Sequence, residues 1–434
     1  MTDPKQTTSS ETSSDAPNAL LDSGHQVKEI DPPSRWQQML REIVGGSTII
    51  SVLAVVLALV ASGILIAVTS EDVQEAAGYF LSRPGDTLRA IWDTVAGAYI
   101  ALFQGSIYNF RADDFLRGIR PLTETLTFAT PLIVAGLGVA LTFRVGLFNI
   151  GGRGQMLVAA AAAGYVGVNW PLPYGIHLIV AVVVGVLAGA VWGGIAGLLK
   201  ARTGAHEVIV TIMLNYVAFY LISYLLTQQW ALQAPGSTNP KSAAVLPTAV
   251  LPEILGPQYN LHFGFILAIA ATVFVWYLIE RSAMGFQFRA VGENPNAARV
   301  AGIKVPTVYI SAMLISGGLI ALAGVFQVLG TVTTGFTAGI DAGIGFDAIT
   351  VALLGRSKPI GVFFAAVLFG ALKAGGYSMQ AAEGVPIDII LVVQSLIVLF
   401  IAAPPLVRAI FRLPTPGTEP STRDSRAAAK EVAK

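Results

Sequence analysis

Runs of about 20 apolar residues almost free of charge recur along the chain, and a helix of that length matches the hydrocarbon core of a bilayer. They predict spans over Ser47 to Thr69, Leu122 to Phe143, Phe148 to Val168, Ile176 to Leu199, Val208 to Gln229, Leu261 to Glu280 and Val308 to Leu329. Phe346 to Gly355 is apolar but half a membrane long, and Ile360 to Leu372 with Ile387 to Ala403 completes the set. Since 54% of the 434 residues are hydrophobic and 12% are charged, where a soluble protein carries about a quarter, the chain is all-α: a polytopic transmembrane helical bundle. About ten crossings are expected, one of them the short helix. The Gly- and Thr-rich stretch Gly330 to Gly345 that feeds this short helix is too polar for lipid, which predicts irregular backbone covered by protein or lining a cavity.

The charge balance of 27 Lys and Arg to 26 Asp and Glu gives no basic field for nucleic acid. With no cysteine there are no disulfides, thiolate metal sites or cysteine nucleophiles. The four histidines, His25, His177, His206 and His262, have no metal-ligand spacing, and no nucleophile-base set appears in the spans, so no metal, cofactor-binding or catalytic residue is expected on the chain.

Residues 1–33, rich in Ser, Thr, Asp and Pro, read as a disordered cytoplasmic tail, and 34–46, with Arg35, Trp36 and Arg41, as a juxtamembrane segment. A transmembrane domain covers 47–404, followed by a cytoplasmic polar tail over 405–434. Within the domain, 70–121 has apolar residues such as Leu88, Ile91, Trp92 and Val95 at helical spacing. It reads as an external amphipathic region, a tilted further span being the other reading. With both termini inside, the connectors holding Arg144, Lys200, Arg202, Arg281, Arg289, Arg299, Lys304, Arg356 and Lys358 are cytoplasmic. The opposite loops 230–260, 330–345 and 376–386 hold only Lys241. Two later groups of spans then run in opposite directions, which is compatible with an inverted repeat.

The loop 285–306, GFQFRAVGENPNAARVAGIKVP, is the longest charged, helix-competent insert. Asn294 suits an N-cap, Pro295 the first helical position, Ala297 and Ala298 the helix, and Gly302 its close, while Glu293 and Lys304 complement the dipole. A compact two-turn helix on which a partner could dock is expected, Arg299 being part of it. At Arg144 to Gln155, RVGLFNIGGRGQ places Asn149, Arg153 and Gln155 among glycines. This is either a helix break lining a solute path or a turn with Asn149 as N-cap. Asn215 and Gln327 in apolar spans can face a solute or bond another helix. Asp347 is the expected N-cap of the short helix, solute contact being the alternative. Glu124, Asp347, Lys373 and Asp388 fall near predicted span ends, leaving the interiors nearly uncharged. Such a path suits a polar neutral solute and lacks the buried ionisable groups of an ion-coupled carrier. No GxxxxGK[ST] is present, so energy from ATP would require a partner.

Three motifs together, TPLIVAGLGVALTFRVGLFNIGGRGQ from Thr130, AVGENPNAARVAGIKV from Ala290 and GFDAITVALLGRSKPIGVFFAAVLFGALKAGG from Gly345, resemble permease subunits of ABC importers. The group imports nucleosides, simple sugars and branched-chain amino acids, and the first and third motifs lean to its nucleoside branch. The likeness covers residues 122–403. It implies a multi-pass protein of the bacterial inner membrane that is not itself an enzyme. Its partners would be a second permease subunit, a cytoplasmic ATP-binding subunit carrying ATP and Mg, and an extracytoplasmic solute-binding protein. It also implies that Glu293 to Gly302 is the coupling helix and that FNIGGRGQ lies at the translocation core. Gly152 and Arg153 depart from the family's usual FNIGAEGQ, reversing a charge. The alternatives are a ribose-type sugar permease of the same kind and a secondary transporter driven by an ion gradient.

Overall fold

The computed structural model describes residues 47–412 apart from Pro257; the expected tail 1–33, the juxtamembrane segment 34–46 and everything from 413 lie outside them. The described chain is helical, with two isolated bridges as its only β pairing, Gln233 with Ser242 and Glu253 with His262. Seven helices are long and apolar enough to cross a membrane: α1 (Ser47–Thr69), α3 (Arg120–Arg144), α5 (Ile176–Thr203), α6 (Glu207–Leu225), α7 (Gly264–Arg281), α10 (Val305–Phe326) and α12 (Pro359–Glu383). Among the described residues α11 (Ile344–Leu354) and α13 (Asp388–Ala402) are shorter apolar helices, and α4 (Gly152–Asn169) is a further, less apolar one. At about 1.5 Å per residue α11 reaches only about 16 Å, half a hydrocarbon core.

The bundle is built around α3. Every residue from Ala129 to Thr142 is buried, which explains a sequence apolar all round rather than along one stripe. Two sets of four helices, α3 to α6 and α10 to α13, follow the same order of elements. Each has a long helix, a re-entrant break, a helix starting inside the bundle, a long return helix and a last span. α5 lies along α10 and α12 along α3, so the return helix of each set clasps the leading helix of the other.

Small residues set these distances. Gly185, Gly189, Gly193 and Gly197 recur every fourth residue on α5 and form one face. A Cβ there would lie 2.6 Å from Val325 Cγ2, 2.5 Å from Ala321 Cβ, 2.8 Å from the Met313 carbonyl and 2.8 Å from Met313 Cβ. In lipid, where tails are as apolar as side chains, such close backbone approach is what holds helices together.

The region 70–121 holds α2 (Pro84–Ser106), where Tyr99 donates to the Leu59 carbonyl of α1. Thr87 Oγ1 donates to the Ala76 carbonyl just past α1, Gly97 packs on Glu383 at the end of α12, and Thr125 near the start of α3 donates to the Ser106 carbonyl. The sequence reading of 376–386 as a loop is corrected: α12 continues to Glu383, because Gly375 and Gly376 are sites where Leu102 of α2 and Ile390 of α13 pack closely.

Candidate functional site

After α3 ends at Arg144 the chain turns back into the bundle over 145–151 and α4 starts at Gly152, so this backbone needs partners away from water. The side chains of Asn149 and Asn215 supply them, with Thr211 Oγ1 accepting from the Ile150 amide (3.3 Å), and Gln155 holds Asn149 in place. Asn149 Oδ1 accepts from the Gly151 amide (2.9 Å), while its Nδ2 donates to Ser316 Oγ half way along α10 (3.0 Å) and to Gln155 Oε1 (3.2 Å). Gln155 Nε2 returns a bond to Asn149 Oδ1 at 3.2 Å. Asn215 of α6 accepts from the Gly154 amide (2.8 Å) and donates to the Ile150 carbonyl (2.9 Å). All three are buried. The N-cap of α4 is Gly151, so Asn149 is not the cap but braces it from two residues upstream. In this structure the amides of Asn149, Gln155 and Asn215 are hydrogen-bonded within and around the break.

The second break has the same construction at the other end. α10 passes into a π-helical turn, Gln327–Thr331, and the chain then re-enters over 332–343 before α11 starts. Gln327 Nε2 donates to the Ile340 carbonyl at 3.3 Å. The long connection after α6 covers the rest, the Ser242 amide donating to the Phe336 carbonyl (3.0 Å) and the Val245 amide to the Thr333 carbonyl (2.9 Å). Ala342 (φ 46°) and Gly343 (φ 79°) turn the chain into α11 through left-handed backbone. The helix starts three residues before Asp347 with Gly343 as its cap, so Asp347 is not the N-cap. It occupies the first turn, where a carboxylate still complements the dipole.

The starts of α4 and α11 meet. A Cβ on Gly152 would be 2.8 Å from the Gly345 carbonyl, and one on Gly345 2.4 Å from the Arg153 amide. Around this contact four charges converge from four segments. Arg153 Nε is 3.3 Å from the buried Asp341 carboxylate, and its guanidinium lies 4.8 Å from the centre of the Phe219 ring on α6. Lys373 of α12 donates to the Ala342 carbonyl (3.2 Å) and is 3.9 Å from Asp347. Two positive helix ends thus meet beside two carboxylates and two cations, and the exposed Ala342, Gly343 and Phe346 border them. The sequence reading placed Asp347 and Lys373 near span ends; they pair inside the bundle because α12 is longer than expected. It passed over Asp341 and Ser316, whose partners are 188 and 167 residues away.

On the side where α3 ends and α10 begins, α7 leads into α8 (Ala283–Glu293) and α9 (Pro295–Val300). Ser282 caps α8 by accepting from the Gly285 amide (2.9 Å), and Asn294 caps α9 by accepting from the Asn296 and Ala297 amides (3.0 and 3.1 Å). Gly302, at φ 84°, closes α9. Of this insert, Glu293, Asn294, Ala297, Arg299, Val300 and Gly302 are exposed, Pro295 is half-buried and Ala298 is buried against the bundle. Val300 is 91% exposed, an isolated apolar side chain on an otherwise polar knob. Gly292 presses on the Arg144 carbonyl at the end of α3, and Arg144 Nε donates to the Ser357 carbonyl (3.0 Å) between α11 and α12. The insert is therefore in contact with the end of α3, and through Arg144 with the turn after the second half-helix.

Seven helices of membrane-spanning length, with two helix starts meeting between them at Gly152 and Gly345, mark a polytopic membrane protein. Residues 122–402 match the family described as branched-chain amino acid transport system / permease component, and the chain belongs to that permease family. It is 40% identical over 319 residues to a guanosine ABC transporter permease protein of Bacillus subtilis, covering 73% of this chain and 91% of the relative. It is 38% identical over 289 residues to a glucose ABC transporter permease protein of Haloferax volcanii (64% and 75%). A nucleoside ABC transporter permease protein of Lactococcus lactis is 33% identical over 293 residues (66% and 80%). No solved structure matches the chain.

Proposed function

We propose that this chain forms one half of the solute pathway of an ATP-driven ABC importer and that its solute is a nucleoside. The observation that carries the reading is the likeness to the guanosine permease, which runs through 91% of that protein and 73% of this chain. A second permease subunit completes the pathway against the face bearing Arg153, Asp341, Phe346 and Lys373. The α9 side is cytoplasmic, consistent with the basic connectors, and a cytoplasmic ATP-binding subunit that carries ATP and Mg seats on α9. A solute-binding protein delivers from the opposite side.

In this reading the moving parts are the two half-helices. When the ATPase subunits close, α9 is carried with them, and the contact of Gly292 with the end of α3 passes the displacement to the 145–151 break. The Arg144 to Ser357 bond passes it to the turn after α11. Paired charges suit a neutral nucleoside, since the cluster of Arg153, Lys373, Asp341 and Asp347 has no net charge to offer an ionic solute. Aromatic side chains such as Phe219 and Phe346 can stack on a base.

A simple sugar is the second reading, favoured by the 38% identity to the glucose permease. Competition separates the two. Cells expressing the transporter should take up labelled inosine in the presence of excess unlabelled ribose and glucose. Uptake suppressed by either sugar would move the chain to the sugar branch.

A further inference from the structure

Where α7 ends and α12 begins there is a cavity of about 620 Å³ that the pathway does not use. Trp276, Glu280 and Arg281 line it from α7, and Lys358 and Ile360 from the start of α12. It lies at the end of the bundle that carries α9, since α7 runs directly into α8 and the Arg144 to Ser357 bond anchors the turn before α12.

Its charges are not consumed within the fold. Among the described residues neither Arg281 nor Lys358 forms an ion pair. The Arg281 guanidinium instead lies 5.9 Å from the centre of the Trp276 ring, a distance that keeps the cation at the indole. Lys358 is delivered by a turn in which Arg356 and Ser357 both adopt φ 53°, a conformation non-glycine residues hold where surroundings fix it. Against two cations stands the single carboxylate of Glu280, so the cavity is net positive by one charge.

The wall toward the membrane is apolar. Next to the cavity, α7 exposes Val273 and Tyr277 and α12 exposes Ile360 and Phe364, the last at 65% exposure. Side chains this apolar on spanning helices lie among acyl chains, and a Trp with Arg and Lys one turn further on marks the headgroup level. An occupant that matches cations, indole and apolar wall at once has an anionic phosphate with acyl chains attached. We propose that this cavity is a binding site for the headgroup of an anionic phospholipid. Arg281 and Lys358 hold the phosphate, Trp276 flanks it, and the acyl chains run along Ile360 and Phe364. The site is independent of which solute the pathway carries.

The test uses the full chain, purified in detergent, stripped of lipid and titrated with phosphatidylglycerol or phosphatidylcholine while bound lipid is counted by native mass spectrometry. Phosphatidylglycerol should be retained in preference. Arg281→Ala with Lys358→Ala should weaken that retention on the order of tenfold and leave phosphatidylcholine unchanged. Excess inorganic phosphate should not displace the lipid; displacement would show that the site takes free phosphate instead. A second readout needs no double variant: brominated phosphatidylglycerol should quench tryptophan fluorescence in the native chain more than in Trp276→Phe, and brominated phosphatidylcholine should not discriminate between them. Equal retention of both lipids by the native chain, or equal quenching in both proteins, overturns the proposal.

Discussion

Single side chains decide whether backbone can break inside a membrane protein. Asn215 bonds both the Gly154 amide and the Ile150 carbonyl, so Asn215→Ala leaves a donor and an acceptor buried without partners. At about 1–3 kcal/mol for each orphaned group, the variant should unfold at a clearly lower temperature in detergent, whereas Tyr216→Phe next to it, on an exposed position, should not. An unchanged melting temperature for Asn215→Ala would remove the bracing role. The charge at position 153 makes a second case. The motif alone left a reversed charge without explanation; the fold supplies Asp341 at 3.3 Å from the opposite repeat. Arg153→Glu should lower uptake and melting temperature, and adding Asp341→Arg should restore part of both. A double variant as poor as the single one would show that the pair does not act as a unit. Sequence could offer Asn149, Gln155, Asn215 and Gln327 as polar groups in apolar runs. It could not say what they bond, because their partners, backbone groups of the breaks and the side chains of Ser316, Asn149 and Gln155, come together only in the fold.

At the scale of elements, the lengths of the apolar runs were legible because hydrocarbon thickness is a fixed ruler. The insert was legible too, since its caps are local: Asn294 and Gly302 do what their residue types suggest. What a partner helix contributes was not. The continuation of α12 through Gly375 and Gly376 looks like a loop in one dimension, yet those glycines are close contacts with Leu102 and Ile390. The same applies to the α5 glycine row. Gly345→Val should therefore be severe, since its Cβ would fall 2.4 Å from the Arg153 amide and force the two half-helices apart; loss of folded protein on gel filtration is the expected outcome. In α9 the residues divide by face. Val300→Asp, on a side chain that is 91% exposed, should leave the melting temperature unchanged and abolish ATP-driven uptake. Ala298→Phe instead overpacks a buried site and should lower stability by about 1–3 kcal/mol, so it tests packing and not docking. Normal uptake by Val300→Asp would remove the docking role of α9.

For the molecule as a whole, the correspondence of the two span groups was not legible in the order of residues. Counting crossings predicts that α3 starts on one side and α10 on the other, whereas the pairing of α4 with α11 rests on two glycines meeting in space. The consequence is functional. A bundle whose two halves interlock, with α5 along α10 and α12 along α3, can rock one repeat against the other around the junction of its half-helices. The insert carrying α9 contacts the bundle at α3, the leading helix of the first repeat, and only through Arg144 at the turn after α11. A pull on α9 from an ATPase thus has a short mechanical route to both breaks, and no charged relay along the spans is needed.

The most direct test of this account is uptake of labelled inosine into vesicles holding the chain with its permease, ATPase and binding-protein partners, with ATP supplied or withheld and a protonophore added separately. Uptake that requires ATP and ignores the protonophore is the predicted result. Uptake that proceeds without ATP and collapses with the protonophore would contradict the account, making the chain a carrier driven by an ion gradient.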